Sequence, residues 1–291
     1  VSGGVFNSPQ LLLLSGIGPG EELRQWGIDV VRDLRSVGKH MQDHFYVRHA
    51  YRTTGPVTQN RLANSLPLQA VAYIQWQLFG TGPLSTNGVP AGGFARSDQR
   101  LERPDLQFNF SPFSYVARGP KGAIAHDFHG FSLSAIHLKP DARGTITLKS
   151  ADPLAPPAIK FNFLNTDYDL RALTAGMKMV RTFVEQPSLK KYIAEEVLPG
   201  AWVKSDADYE KAIRENGISN LHPVGTCRMG PEGSDCVVDP RLRVVGVDGL
   251  RVIDASVMPT VPAGNTNAPT IMIAEKAVDL IRGVCRTPAR P

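Results

Sequence analysis

Hydrophobic and polar positions are most informative near the carboxyl end, where residues 250–283 read strand, polar turn, irregular loop, helix. The run Leu250-Arg251-Val252-Ile253 has the β-branched character of a buried strand. Asp254-Ala255-Ser256 then sets a carboxylate and a hydroxyl at the strand's carboxyl end, the side on which open α/β sheets bind ligands. Pro259, Pro262 and Gly264 disfavour regular structure before Asn265. Asn267 is placed to cap the following helix, with Pro269 in its first turn. Ile271, Ala274, Val278 and Ile281 recur at helical spacing, Arg282 falls in the last turn, and Gly283 ends the helix. Such a helix start serves packing, or aims a positive end at an anion.

At the amino end, Asn7 or Ser8 is expected to cap a short helix running through Leu14, with Pro9 in its first turn. The glycine cluster at 15–20 superficially suggests a dinucleotide loop, but a helix precedes it where that fingerprint needs a strand. A second helix over 21–26, a strand over 28–31 and a polar loop over 37–44 follow. Strand 46–53, helix 68–79 behind Pro67, and a long glycine- and proline-rich loop over 80–94 come next. Segments 106–110, 131–138, 145–149 and 158–163 alternate like successive strands of one antiparallel sheet. Residues 169–184 form an amphipathic helix, and another starts at Ser205 and ends near Gly217. The middle is thus a sheet with helices on it, flanked by two pieces of a different, α/β unit.

Composition narrows the class. The 291 residues accommodate one large domain or two ordinary ones, and 42% hydrophobic with 20% charged residues is ordinary for a globular chain. The apolar runs at 11–14 and 70–74 are far too short to span a membrane. The net charge of +5 is scattered, which reads as a mildly basic surface and not as a nucleic-acid footprint. Cys227, Cys236 and Cys285 show neither CxxC nor finger spacing, so a disulfide framework or structural zinc is not expected. A Cys227–Cys236 bridge stays open, with a reducing compartment the simpler reading. The opening VSGGVFNSPQ contains neither initiator methionine nor signal peptide and reads like a strand tail entering a helix. A carboxyl-terminal portion of a longer protein is therefore expected, with any targeting signal upstream.

Chemistry concentrates in HPVGTCRMG, residues 222–230. A histidine before proline sits in extended backbone, and Gly225 permits a tight turn. Histidine is the usual proton acceptor at neutral pH, although taken alone His222 reads as structural before catalytic, and Asn267 as a helix cap. His126, His129 and His137 share no metal-ligand spacing, so no metal is expected. Cys227 reads as a core residue, and Asp43 and His44 as loop supports.

Several blocks resemble one family in its own order. NSPQLLLLSGIGP (7–19), HPVGTCRMG, VIDASVMP (252–259) and GNTNAPTIMIAEKAVDLI (264–281) are similar to the glucose–methanol–choline (GMC) flavin oxidoreductases. VGKHMQDH (37–44) resembles that family's VGxNLQDH, with His40 replacing asparagine. PDARGTITLKSADPLAPPAIKFNFL (140–164) resembles its strand pair, with Ala142 replacing the common serine. The family's amino-terminal strand–GxGxxG–helix has no counterpart here.

The resemblance implies an α/β and α+β fold: a partial FAD-binding Rossmann-like domain plus a substrate domain with an antiparallel sheet covered by helices. Residues 1–45 would be an FAD-domain segment, 46–220 the substrate-binding domain, and 221–291 the active-site segment and carboxyl-terminal FAD-domain segment. It also implies FAD-dependent oxidation of a primary alcohol to an aldehyde, with His222 as proton acceptor and Asn267 orienting the hydroxyl. Asp254, Ala255, Asn265, Pro269 and Thr270 would line the FAD. A quinone or carrier is expected as electron acceptor in preference to dioxygen, in a cytoplasmic protein or one peripheral to the inner membrane. Choline-oxidising relatives are expected to carry glutamate before AGGF; Pro90 stands here, which counts against choline. Alternatives within the resemblance are a non-redox hydroxynitrile-lyase-like member and a catalytically incomplete fragment.

Overall fold

The computed structural model describes residues 1–56, 58–119, 122–231 and 233–284. Cys285 lies outside them. The chain forms two units: Val1–His44, Leu138–Thr166 and Ser219–Pro291 make the first, Phe45–His137 and Asp167–Ile218 the second. The expected single stretch 46–220 is therefore interrupted, because Leu138–Thr166 belongs with the terminal segments. The cause is packing: strands Thr145–Thr147 and Ala158–Lys160 form their own antiparallel pair, and Ile146 is buried with Val5 and Met41. They do not continue the large sheet, as the sequence pattern had suggested.

In the second unit the antiparallel strands run in the order Ile193–Leu198, Phe45–Thr53, Gly130–His137, Leu106–Ser111, Ala91–Ala95. The expected loop over 80–94 thus contributes an edge strand, after a short turn of helix at Pro83–Ser85. Alternation separates the faces. Tyr51 pairs with Phe131, and Leu133 pairs with both His49 and Phe110, on the face that packs under helix Asp167–Val184. That helix buries Ala172, Leu173, Gly176, Met177, Val180 and Val184. Each large apolar side chain buried here contributes roughly 1.5–3 kcal/mol. The opposite face is polar, with Arg48, Ser134 and Asn109 in register across three strands. Helix Asp206–Asn216 starts as expected at Ser205, whose hydroxyl accepts from Asp208 N–H while the Asp208 carboxylate accepts from Ser205 N–H.

In the first unit the opening helix is Gly4–Leu14, so it begins before Asn7 and Ser8, and Pro9 lies inside it. Remote groups make this workable. Asp254 accepts the Gly4 N–H at 3.0 Å, and Ser8 accepts the Gly3 N–H at 2.9 Å. Pro9 has no N–H to offer the Val5 carbonyl; the Thr226 hydroxyl donates to it instead, at 2.7 Å. The expected strand over 28–31 is absent, with Val31 exposed; Arg32–Asp33 pairs in parallel with Ile17–Gly18. Residues 250–253 are also not a regular strand. They make one bridge, Arg243 to Arg251, while Val252 is fully buried beside Val224, Cys227 and Val257.

The last helix is Asn267–Arg282 and closes on Gly283 at φ +68°. Thr266 holds the N-cap position without a side-chain cap bond, so Asn267 is the first helical residue and not the cap. Its buried residues are Ile273 and Ala277; Ile271, Ala274, Val278 and Ile281 face outward. The stripe at helical spacing is real, but its neighbour four residues apart is the one this unit covers. No helix among the described residues is long and apolar enough to cross a membrane.

His49 is a buried polar exception. It lies under the second unit's helix with Nδ1 3.3 Å from the Tyr51 hydroxyl and no partner at Nε2. Burial, then the Arg181 charge, push its pKa down to about 3. Between that value and the unfolded value near 6.5 the unfolded chain binds the extra proton. Stability from neutral His49 is therefore intact above pH 6.5 and falls with pH, by up to about 1.4 kcal/mol per unit, toward pH 3. Urea midpoints taken from pH 7 to pH 4 should decline less steeply in His49→Gln than in the native chain. Equal slopes would contradict the assignment.

Candidate active site

His222 is set by a bulge. Gln42 and Val224 exchange backbone bonds of 3.1 and 2.8 Å, and Asn220 N–H reaches the His44 carbonyl at 2.7 Å. Between those points Asp43 faces three residues, Leu221, His222 and Pro223. Leu221 takes a left-handed backbone, φ +61°, and Pro223 has no N–H for a ladder. The His222 N–H instead donates to Asp43 Oδ1 at 2.8 Å, and Ser219 donates its hydroxyl to Asp43 Oδ2. Burial pushes the Asp43 carboxyl up to about 6, against the opposing pull of the Ser219, His222 and His44 donors.

The ring of His222 meets a second histidine. His44 Nδ1 stands 3.0 Å from His222 Nδ1, the rings crossing edge to face at 87°. His44 Nε2 donates to the Pro262 carbonyl at 3.0 Å. Asn220 brings its side-chain amide to 3.1 Å from the same His222 nitrogen. Burial lowers the His222 pKa, so the ring is neutral at pH 7. Its Nε2 makes no hydrogen bond among the described residues. Gln42 completes the frame, accepting from Val261 N–H at 3.1 Å and donating to the Pro140 carbonyl at 2.6 Å.

The other expected site residues divide. Asn265 and Asn267 are exposed, and Asn267 makes no hydrogen bond with His222. The side chains at the His222 ring are instead Asn220 and His44, a residue the sequence marks only as a loop support. Asp254 is buried with both oxygens engaged: Oδ1 accepts from Ser256 N–H at 2.8 Å, Oδ2 from Gly4 N–H and the Ser8 hydroxyl at 2.5 Å. Ala255 turns its carbonyl to Gly225 and Met258 N–H. Both of these residues serve the protein's own structure here. Thr270 donates its hydroxyl to the Thr266 carbonyl at 2.7 Å, and Pro269 stands one place before it. The N–H groups of Asn267 and Ala268 meet no acceptor among the described residues, which leaves a positive helix end open.

Cys227 and Cys236 are free and buried, so the Cys227–Cys236 bridge is not formed. Burial raises the Cys227 thiol far above its usual range, as a core residue requires. No group of metal-ligating side chains occurs among the described residues. His137 bonds Asp169 at 3.1 Å, His126 faces the Ser114 hydroxyl, and His129 faces Thr58. His40 occupies a left-handed position, φ +61°, where asparagine is favoured, and its Nε2 reaches Asp235 at 2.8 Å.

Residues 140–274 match the family model described as GMC oxidoreductase. An alcohol dehydrogenase [acceptor] from Pseudomonas putida is 40% identical over 278 residues, covering 96% of this chain and 50% of that protein. An oxygen-dependent choline dehydrogenase from Brucella ovis is 40% identical over 284 residues, covering 97% and 51%. Among solved structures, formate oxidase from Aspergillus oryzae RIB40 superposes with a TM-score of 0.86 at 26% identity, over 97% of this chain and 53% of that one. A fungal aryl-alcohol oxidase does so with 0.82 at 26% identity, over 96% and 53%. This chain therefore spans about half the length of the relatives it matches.

Gly225 is the hinge of the histidine segment. Its φ is +89°, and a Cβ there would stand 2.8 Å from the His40 carbonyl oxygen. Gly225→Ala should cost about 1–3 kcal/mol, read as a lower thermal midpoint; an unchanged midpoint would show that the segment yields freely.

Proposed function

Because this chain belongs to the GMC oxidoreductase family, we propose that it carries the proton-accepting half of an FAD-dependent oxidation of a primary alcohol to an aldehyde. The observation that carries the reading is a neutral, half-buried His222 whose Nε2 has no hydrogen-bond partner among the described residues. An alcohol donates hydride poorly until its hydroxyl proton begins to leave. His222 Nε2 accepts that proton, and backbone donation to Asp43 holds the residue in place as charge develops on the ring. Asn267 is assigned to hold the substrate oxygen.

FAD, when bound, supplies the hydride acceptor. The residues here fit one edge of it. The open N–H groups at the start of the Asn267–Arg282 helix suit developing negative charge, an effect worth about 1 kcal/mol and up to ~2 when partly buried. Asn265, Pro269 and Thr270 flank that helix end. Asp254 and Ala255 act one step behind, by fixing the turn that precedes it.

The substrate class we assign is a primary alcohol, with Pro90 before the AGGF strand counting against choline. The acceptor assigned is a quinone or carrier, and the location cytoplasmic or peripheral to the inner membrane. Relatives of equal similarity bear both acceptor-linked and oxygen-dependent names, so dye reduction compared with oxygen uptake distinguishes the two acceptors.

In FAD-loaded protein mixed anaerobically with primary alcohols, flavin absorbance should bleach. His222→Ala should slow that bleaching about a hundredfold or more. A near-native rate would remove His222 from the role of base.

A further inference from the structure

We propose that His44 is a positioning residue which selects the tautomer of His222 and so leaves Nε2 as the nitrogen with the free lone pair. The proposal rests on the reading of His222 as base, but its geometry stands by itself. The Pro262 carbonyl can only accept, so His44 Nε2, 3.0 Å away, must carry a proton. A neutral His44 then presents a lone pair at Nδ1. That lone pair faces His222 Nδ1 at 3.0 Å, a distance at which two unprotonated nitrogens repel and an N–H···N bond forms. The proton of neutral His222 therefore sits on Nδ1.

Asn220 opposes this as placed, because its Nδ2 would donate to the same nitrogen. The two neighbours differ in freedom. His44 is fully buried and pinned at its far nitrogen, so it cannot exchange donor for acceptor. The Asn220 amide exchanges them by a half-turn, after which Oδ1 accepts from Nδ1–H. The adaptable group follows the pinned one. The Asp43 carboxylate engages the His222 backbone N–H, at 2.8 Å.

Catalytic use follows directly. When a substrate O–H bond breaks and an N–H bond forms at Nε2, His222 becomes the imidazolium. Its Nδ1–H remains a donor to His44, so one ring orientation serves both protonation states. With the proton on Nε2 instead, the nitrogen open to substrate would be a donor and no base.

Long-range proton–nitrogen correlation spectra of the 15N-labelled chain read the tautomer without any cofactor, with His222→Gln identifying the signals. At neutral pH the native protein should show the His222 proton on Nδ1. In His44→Ala, Asn220 can face the ring with either end of its amide, so the proton should divide between Nδ1 and Nε2, and His44→Gln should restore Nδ1–H through its amide oxygen. In FAD-loaded protein His44→Ala should lower the rate of flavin reduction about tenfold or more with little change in KM. A native His222 protonated on Nε2, or an unchanged tautomer in His44→Ala, would overturn the proposal. The native spectrum decides even if both variants fail to fold. An Nδ1–H tautomer together with a full rate in His222→Ala would sink the base assignment and leave the positioning intact.

Discussion

Three consecutive side chains hold the candidate site together. Gln42 ties Pro140 to Val261, Asp43 ties Ser219 to the His222 backbone, and His44 ties the His222 ring to Pro262. All three are buried. A buried polar group without a partner costs about 1–3 kcal/mol, so each segment is held by the cost of leaving this one unsatisfied. The same logic operates at Pro9, whose missing N–H frees the Val5 carbonyl for the hydroxyl of Thr226. Thr226 lies in the histidine segment, so a proline in the opening helix helps to place that segment.

Burial also sets the charge states. It lowers the His222 pKa, raises that of Asp43 into the mildly acidic range and keeps Cys227 a thiol. In the second unit the same desolvation keeps His49 neutral beneath its helix. There it opposes protonation of an enclosed ring; at His222 it favours the uncharged form of a ring that is partly accessible. What separates the outcomes is the free nitrogen. His49 Nε2 is enclosed without a partner, whereas His222 is only half buried.

Apolar surface is distributed unevenly. Helix Leu66–Phe79 has no charged residue and buries only Ala72, and helix Asn267–Arg282 buries only Ile273 and Ala277. Helix Asp167–Val184, by contrast, separates its apolar and polar faces and covers the sheet with seven buried residues.

Much of this was legible in the residues alone. Alternation at 106–110 and 131–138, the Ser205 cap and the Gly283 stop are local signals, because each depends on neighbours a few positions away. The family blocks likewise drew attention to the segment that holds His222. The departures share a cause. The backbone forms no cap at Asn267, residues 145–163 leave the sheet that their alternation suggests, and the period of 271–281 does not report its burial. Nothing near His44 in sequence needs a histidine. Its partners lie 178 and 218 residues away, and a hydrogen bond across that span has no periodicity to betray it. Sequence determined which side chains are available and the elements that depend on near neighbours; tertiary structure decided which nitrogen of His222 is engaged, because that depends on partners brought together only by the folded backbone.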